Sequence, residues 1–371
     1  GGGLNSAIGR THLIASQMDS KFEVVGGLFS RNREINKRSY QAFGLGLDLQ
    51  EYKFEQIPDL FNSGQVNCVL LATPTNLHFD SLKFLLEHKI PVIVEKAAVI
   101  DSNQGLEIYK LINKYQGFNA VTYNYTGYPM VRLMKQLITS GKIGEIIHFK
   151  VEMPQDSYLR VNKISMKVKL PQAWRQVDYQ IPTIFLDLAS HCIHLSQFTM
   201  GIDIESVFST FNHYANVKKV IDHGEILLKT KEKVTGSVTI SKSSLGQRNG
   251  LNIRIYGTLG SLSWVQEHPN QLWISDKYSE TSLISFGSNY SIINEDRYTR
   301  FKAGHPAGFI EAFANLYWDI SLGLNHYLKI GSSRGFQNDY IPSLEDAILG
   351  INLLKAAVDS NKKGKWVKVA T

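Results

Sequence analysis

The sequence predicts a two-domain α/β protein, and three observations carry that prediction. Its 371 residues exceed the length of an average domain and suffice for two hydrophobic cores. Up to about residue 123, short apolar runs alternate with helix-period segments, which indicates βαβ units around a parallel sheet. Beyond residue 124, alternating β-type runs are joined by short turns, which indicates a large, open and mostly antiparallel sheet. We therefore predict domains over residues 1–123 and 124–371.

Hydrophobic periodicity places the individual elements. Buried strands of the first domain are expected at Phe22–Phe29, Cys68–Ala72, Val92–Val94 and Ala120–Tyr123, with helices over Ile8–Met18, Arg33–Phe43, Asn76–His88 and Ser102–Tyr115. The second domain is expected to start with a helix that Pro129 opens and that ends near Gly141. Its strands are expected at Ile146–Met153, Gly224–Thr230, Val234–Ser241, Leu251–Tyr256 and Ser261–Val265, and its late helices at Pro306–Ile320 and Leu344–Ser360. Residues 154–182 have weak periodicity, so we predict a long loop, a feature that is usually functional.

Composition excludes several classes of protein. The net charge is +7, but the basic residues are scattered and accompany no nucleic-acid motif, so we expect a basic enzyme with anionic ligands and no nucleic acid. The two cysteines, Cys68 and Cys192, form neither a disulfide framework nor a CxxC metal site, which predicts a cytoplasmic protein. Because there is no apolar run of about 20 residues and no signal peptide, we expect no membrane association. The chain opens at Gly1 without a methionine or a leading strand, so we expect the first strand to be absent.

The glycine-rich opening GGGLNSAIG is the first candidate ligand site. Gly1 and Gly3 would let the backbone approach a pyrophosphate, and a helix starting near Ser6–Ile8 would point its N–H groups at the phosphates. The spacing from Gly3 to Gly9 is longer than in GxGxxG, and no strand precedes it. A plain glycine-rich turn therefore remains an open alternative.

The stretch LFSRNRE, at the end of the second predicted strand, bears on the choice between NAD and NADP. An acidic residue at this position would bind the ribose 2′-hydroxyl of NAD, but none stands between Phe29 and Arg33. Ser30 and Arg31, with Arg33 nearby, carry donors that suit a 2′-phosphate. The pattern favours NADP, and NAD stays open.

Several motifs occur together in one order and spacing. They are GGGLNSAIG, ATPTNLH at Ala72–His78, EK at Glu95–Lys96, WR at Trp174–Arg175, DLASHCIHL at Asp187–Leu195 and GHPAGFIEAFANLY at Gly304–Tyr317. In these motifs the chain resembles the glucose-fructose oxidoreductase/inositol dehydrogenase/MocA (Gfo/Idh/MocA) family over nearly its whole length. The resemblance implies a Rossmann domain, a second domain whose open sheet often forms oligomers, and hydride exchange between NAD or NADP and a sugar, polyol or nucleotide-linked sugar.

The resemblance also implies the catalytic residues. Lys96 matches the lysine of the family's EKP motif, although Ala97 stands where the proline is usual, and Asp187 and His191 match its DxxxH pair. Asp187 and His191 would share one face of a helix, and histidine titrates where a general base must. We expect these two residues and Lys96 to converge beside the nicotinamide. The expected cofactor-binding residues are Gly1, Gly3, Asn5, Ser6, Ile8, Ser30, Arg31, Thr73, Pro74, Asn76, His78, Glu95, Lys96, Asn124, Trp174 and Arg175.

Other interpretations stay open beside these. Asp187 and His191 could form a surface or capping pair, whereas a metal site that adds His194 lacks a further ligand, so we predict no metal. The predicted long loop carries Arg160, Lys163, Lys167, Lys169 and Arg175, which indicates either an anionic substrate or a solvated basic loop.

Two other functions compete with hydride transfer to a sugar. They are a redox-neutral reaction with retained NAD, such as that of a glycosidase, and a non-catalytic cofactor-binding regulator. We also expect a homo-oligomer, because the runs GEILLKT and VTGSVTIS would leave apolar residues on the open face of the second sheet.

Overall fold

The computed structural model describes residues 1–6, 8–45, 53–215, 217, 219–333 and 335–370. The helices, in chain order, are α1 (Gly9–Gln17), α2 (Arg33–Ala42), α3 (Ile57–Asn62), α4 (His78–Glu87), α5 (Ser102–Tyr115), α6 (Pro129–Thr139), α7 (Ser190–Met200), α8 (Phe309–Ile330) and α9 (Leu344–Lys363). The strands are β1 (Val69–Leu71), β2 (Val92–Val94), β3 (Asn119–Val121), β4 (Ile146–Pro154), β5 (Ile204–Asn212), β6 (His223–Thr230), β7 (Thr235–Ser241), β8 (Asn252–Gly257), β9 (Gly260–Val265), β10 (Gln271–Asp276), β11 (Thr281–Ser285) and β12 (Val367–Lys368). Short turns of other helix types lie at Phe54–Gln56, Thr75–Leu77, Asn124–Gly127, Ala173–Gln176, Phe185–Ala189 and Ser291–Asn294.

The contacts within the chain define two compact units. The first contains Gly1–Val99, Asn103–Gly127 and Gly308–Glu345, and the second contains Ile100–Ser102, Tyr128–Ala307 and Asp346–Thr371. The predicted domain boundary after residue 123 stays a prediction. The contacts place Gly308–Glu345 in the first unit, whereas the sequence analysis placed these residues in the second domain. Helix α8 packs against α1, and the Asn315 side chain donates a 2.8 Å hydrogen bond to the carbonyl of Gly127. These contacts tie α8 to the first unit.

In the first unit, β1, β2 and β3 form a parallel sheet in that order. The strands are short and apolar, and β2 is buried throughout, as expected of a sheet covered on both faces. Parallel strands joined through α4 and α5 place all their carboxyl ends at one edge. That edge carries the loops that begin at Thr73, Glu95 and Asn124.

The predicted strand Phe22–Phe29 was wrong. Residues 22–30 form no regular strand, because no strand among the described residues lies beside them to exchange backbone hydrogen bonds. The segment is held instead by isolated bonds, such as the 2.7 Å bond from the Gly1 amino group to the carbonyl of Leu28 and the bond from Phe29 N to the Asn36 side chain.

The described part of the second unit contains a nine-stranded sheet in the order β11-β10-β9-β8-β4-β7-β6-β5-β12. All neighbouring pairs are antiparallel except β4 and β7, which are parallel. Side chains alternate along each strand, so one face is apolar and buried against α6, α7 and α9. This inner face includes Phe149, Val151, Val238, Ile240, Ile253 and Ile255. The predicted α/β class with a large, mostly antiparallel second sheet is confirmed.

The outer face of this sheet is more polar than the sequence suggested. In β6 and β7 the apolar side chains of Ile226, Leu228 and Val238 point inward and are buried, and Leu227 is the only exposed apolar residue of these two runs. The centre of the face carries Glu152 and Arg254, whose side chains form a 3.1 Å ion pair. These runs therefore leave one apolar side chain, Leu227, on the open face, because the two-residue period of each strand buries the others.

The connection between β4 and α7 is irregular over most of its length, as predicted. Residues 155–182 contain an isolated bridge between Val161 and Val168 and a short turn at Ala173–Gln176. No helix among the described residues combines the length and the apolar composition that crossing a membrane requires.

Candidate active site

The glycine-rich opening forms a tight turn against the start of α1. The Ser6 hydroxyl accepts hydrogen bonds from Ile8 N and Gly9 N and thereby caps this helix. A Cβ on Gly9 would lie 1.7 Å from the carbonyl oxygen of Gly2, and one on Gly1 would lie 2.3 Å from that of Ala72. Glycine is therefore required at both positions, where the chain passes close to itself beside the end of β1.

The loops after β1 and β2 are joined by His78. Its ring is fully buried, with Nε2 2.7 Å from the Thr73 carbonyl and Nδ1 3.1 Å from the Ala97 carbonyl. Burial lowers the pKa of His78, so the imidazole is neutral and donates one of these two bonds. His78 thus links the loop after β1 to the loop after β2. Its contact with the nucleotide stays a prediction.

Glu95, at the end of β2, accepts hydrogen bonds from two buried side chains. His12 Nε2 lies 3.1 Å from its carboxylate, and the Thr122 hydroxyl donates to the same oxygen. Burial acts to raise the pKa of Glu95, but these bonds and the charge of Lys96 hold it below its usual value. His12 Nδ1 in turn lies 2.8 Å from the hydroxyl of Tyr317 in α8. This polar chain fixes the backbone from which the half-buried Lys96 projects, and the Lys96–Ala97 peptide bond is cis.

Two polar atoms at this edge have no protein partner among the described residues. The side-chain amide nitrogen of Asn124, a residue that is 2% exposed, and the hydroxyl of Thr73 are both buried without a hydrogen bond. Leaving a buried polar group without a hydrogen bond costs about 1–3 kcal/mol of stability. Such a group is therefore expected where a bound ligand supplies the missing hydrogen-bond acceptor. With the close-packed glycine turn, these atoms fit a nicotinamide dinucleotide along the carboxyl edge of the sheet.

The adenosine-side prediction rests on the segment after residue 29. Asn36 accepts backbone hydrogen bonds from Phe29 N and Ser30 N, and the Ser30 hydroxyl accepts one from Asn32 N. Arg31 is exposed, and no carboxylate lies between it and Phe29. The segment has a fixed backbone and an accessible cation.

The second unit carries Asp187 and His191, both buried and both 7% exposed. The sequence predicted an α-helix under this pair. Instead, Asp187 lies in a π-helical turn, Phe185–Ala189, and His191 in the first turn of α7. A single π-helical turn inside an α-helix is often found at functional sites.

Asp187 is bound by two cationic side chains. Arg175 Nε lies 3.1 Å from Oδ2 and Nη2 lies 3.3 Å from Oδ1, while Lys242 Nζ lies 2.5 Å from Oδ2. Arg175 also stacks over Trp174, 4.2 Å from the ring centroid, and donates to the Gln172 side chain. Within the second unit, Arg175 thus holds Asp187, and the predicted contact of Trp174 and Arg175 with the nucleotide stays a prediction.

Among the described residues, no group of three or more histidine, cysteine, aspartate or glutamate side chains could hold a metal ion. His194, the third member of the metal alternative, is buried, and burial lowers its pKa to about 4.

Comparison with known proteins decides the family. Residues 2–123 match the model of an oxidoreductase family with an NAD-binding Rossmann fold, and residues 131–263 match the GFO/IDH/MocA C-terminal domain. The chain belongs to the Gfo/Idh/MocA family. The predicted family and the dinucleotide-binding fold of its first domain are therefore confirmed, and the chain is an oxidoreductase.

Individual relatives span nearly all of this Gfo/Idh/MocA chain. The uncharacterised oxidoreductase YfiI of Bacillus subtilis is 27% identical over 99% of this chain and 95% of its own. Levoglucosan dehydrogenase of Pseudarthrobacter phenanthrenivorans is 21% identical over 91% of this chain and 87% of its own. The structure of an inositol dehydrogenase homolog from Azotobacter vinelandii, complexed with NADH and myo-inositol, superposes with a TM-score of 0.87 at 22% identity, covering 99% and 95% of the two chains. That likeness shows the shared fold.

Sequence reasoning about this Gfo/Idh/MocA member missed Lys242. The signal was present, because Lys242, directly after β7, continues the two-residue period of Gly236, Val238 and Ile240 and so extends the buried face of that strand. A lysine at a buried position needs a paired charge, which Asp187 supplies. His12 was missed for a different reason, because its partner Glu95 is distant in sequence.

Proposed function

We propose that this chain is a nicotinamide-dependent dehydrogenase that transfers a hydride between NAD or NADP and a hydroxyl-bearing carbon of a sugar, a polyol or a nucleotide-linked sugar. The observation that carries the proposal is the pair of buried groups Asp187, in the π-helical turn, and His191, in the first turn of α7, in a chain whose first domain matches an NAD-binding fold. Two relatives support the substrate class, since one is named levoglucosan dehydrogenase and one has been solved with NADH and myo-inositol.

The proposed chemistry divides among three residues. The bound dinucleotide supplies the hydride acceptor or donor. His191 takes the hydroxyl proton during oxidation, because imidazole is a base that titrates near neutral pH. The ammonium group of Lys96 donates a hydrogen bond to the reacting oxygen, and Asp187 orients the substrate hydroxyl. These catalytic roles are our assignment.

The test of function follows nicotinamide absorbance across a panel of sugars and polyols, each neutral sugar being paired with its phosphorylated form. We expect His191→Ala to lower turnover by about 10²–10⁴-fold if it removes a general base. His88→Ala, which removes an exposed histidine at the end of α4, is the matched control and should leave turnover unchanged. Product formation without net reduction of the cofactor would instead indicate a redox-neutral enzyme. Nucleotide binding without any turnover would indicate a regulator.

Substrate charge is the second element of the proposal. Arg160 pairs with Asp156 at 3.4 Å, while Lys163, Lys167 and Lys169 are exposed along the same loop. This charge supports a phosphorylated or nucleotide-linked sugar, because charge-assisted hydrogen bonds favour anions. A lower KM for the phosphorylated members of the panel is the expected result, and equal KM values would contradict it.

The cofactor proposal favours NADP. Arg31 is accessible and could pair with a 2′-phosphate, so Arg31→Ala should weaken NADP binding about tenfold, which is about 1.4 kcal/mol, and leave NAD binding nearly unchanged. Calorimetric titration of both nucleotides measures this, with Arg38→Ala on α2 as the control. Equal losses for both nucleotides would favour NAD.

We also propose a homo-oligomer formed through the outer face of the second sheet. Leu227, Trp273 and Leu283 are exposed there, around the Glu152–Arg254 ion pair. Light scattering at micromolar concentration should show more than a monomer, and a strictly monomeric protein would contradict the proposal.

A further inference from the structure

Lys242 follows β7 directly, and its backbone is fixed on both sides. Its N–H donates a 2.8 Å hydrogen bond to the carbonyl of Asp222, and its carbonyl accepts a 2.9 Å bond from Tyr158 N. The ammonium group lies 5.5 Å from the centroid of the Tyr158 ring. The backbone from which the lysine side chain projects is therefore fixed.

The ammonium group is buried together with its partner. The Lys242 side chain is 4% exposed, and that of Asp187 is 8% exposed. A buried charge is costly unless a partner with good geometry compensates it. Asp187 provides that compensation at 2.5 Å, so the pair constrains the carboxylate as strongly as it constrains the lysine.

Arg175 approaches the same carboxylate from the irregular connection before α7. It contacts both carboxylate oxygens, and Lys242 contacts Oδ2 from the end of β7. The Asp187 side chain is thus held from a loop and from a strand at once. Without Lys242, the carboxylate would lose its contact from the end of β7, while the Arg175 side chain that also contacts it is 26% exposed and belongs to a loop.

We propose that Lys242 is a positioning residue for the reaction. It holds the Asp187 carboxylate in the orientation in which it binds the substrate hydroxyl, and it acts through Asp187 without touching the substrate. The proposal rests on the proposed function and adds to it a residue that the DxxxH motif does not contain. A merely structural ion pair would stabilise the fold but would leave the Asp187-dependent part of turnover unchanged.

The experiment is a double-mutant cycle between Lys242→Met and Asp187→Asn. Because misplacement of a catalytic group can reduce rates by about 10²-fold, we expect Lys242→Met to lower kcat by about 10–100-fold with little change in KM. The double variant should then match Asp187→Asn within about twofold, because both changes remove one interaction. Losses that multiply would overturn the proposal. So would a Lys242→Met enzyme as active as the wild type.

Two further variants separate positioning from folding. Lys242→Arg keeps the positive charge, so its kcat should be close to that of the wild type. If Lys242→Met does not fold, Lys242→Arg is the variant that tests the proposal. Lys231→Met removes an exposed lysine that pairs with Asp203 at 3.3 Å, and it should behave as the wild type. A Lys242→Arg enzyme that folds as the wild type does and is as impaired as Asp187→Asn would contradict a role that a second cation can fill.

A structural readout distinguishes failure of this inference from failure of the proposed function. If the wild type transfers no hydride to any member of the panel, the proposed function fails. Crystal structures of the wild type and Lys242→Met still decide whether Lys242 fixes Asp187. We expect the Asp187 side chain to rotate or to adopt several conformations in the variant. An Asp187 that keeps its position and its contact with Arg175 would overturn the inference.

Discussion

Glu95 of the first unit and Asp187 of the second are both buried carboxylates, yet they are satisfied in opposite ways. Glu95 accepts hydrogen bonds from His12 and Thr122, while Asp187 is bound by Arg175 and Lys242. His12 Nδ1 lies 2.8 Å from the Tyr317 hydroxyl, whose pKa is raised by burial and by the nearby Glu95 charge. The first carboxylate belongs to a hydrogen-bonded chain inside a core. The second is held by charges from a loop and a strand end, as suits a group that meets a ligand.

The largest expected effect compares the two carboxylates in turnover. Asp187→Asn should lower kcat by about 10²–10³-fold, because the substituted side chain no longer pairs with two cations or orients a hydroxyl as a carboxylate does. Glu95→Gln should lower kcat less than tenfold, since its amide oxygen still accepts from His12 and Thr122. Steady-state kinetics on the most active sugar of the panel measures both. Equal losses of kcat in the two variants would show that Glu95 and Asp187 do not differ in role.

A second, smaller effect concerns pH and the stability of the first unit. The folded-state pKa of Glu95 is below its usual value, so the ionised group stabilises the fold above the unfolded pKa of about 4.5, and this contribution disappears as pH falls through the folded value. At pH 7 the free energy of unfolding of the wild type should exceed that of Glu95→Gln by about 1.5–3 kcal/mol. This difference should disappear at acid pH.

Urea denaturation of both proteins from pH 7 to pH 3 measures that gap. The contribution of the buried His194 cancels in the difference, because the charges that shift its pKa are those of Asp346 and Lys135. His78 adds to the difference, because the Glu95 charge raises its pKa. A gap that stays constant with pH would mean that the Glu95 charge contributes nothing to stability.

The smallest expected effect concerns Tyr317, at the far end of the hydrogen-bonded chain that starts at Glu95. Tyr317→Phe removes one buried hydroxyl and with it the hydrogen bond to His12 Nδ1, so we expect a loss of about 1–3 kcal/mol in unfolding free energy. Tyr109→Phe, on an exposed side chain of α5, is the control. Turnover of the folded Tyr317→Phe enzyme should remain within a few fold of wild type, whereas a large loss of kcat would extend the catalytic machinery into the core.

Sequence reasoning succeeded where one physical signal dominates. Strand β2 and helix α5 were predicted at the observed bounds, because an apolar run between turn residues and a capped amphipathic segment are local signals. Strands β10 (QLWISD) and β11 (TSLIS) were missed, since such short runs become strands only by pairing, β10 with β9 and β11 with β10.

The candidate site shows the same division. The glycine turn and the DxxxH pair are short motifs that can be read directly from the sequence. The contacts of Glu95 with His12 and of Asp187 with Lys242 join residues that are 83 and 55 positions apart, so only the fold brings them together.

The return of Gly308–Glu345 to the first unit has a consequence for biosynthesis. Helix α8 supplies Phe313, Leu316 and Ile320 to the same core cluster as Ile93 and Ala120, so this core is incomplete until α8 has been translated. At roughly 5–20 residues per second, the nascent chain carries an exposed, half-built apolar surface for on the order of ten seconds or more while residues 128–307 emerge. A fragment ending near residue 123 would lack α8 and keep that surface exposed, so a fragment designed for expression of the first unit should include α8.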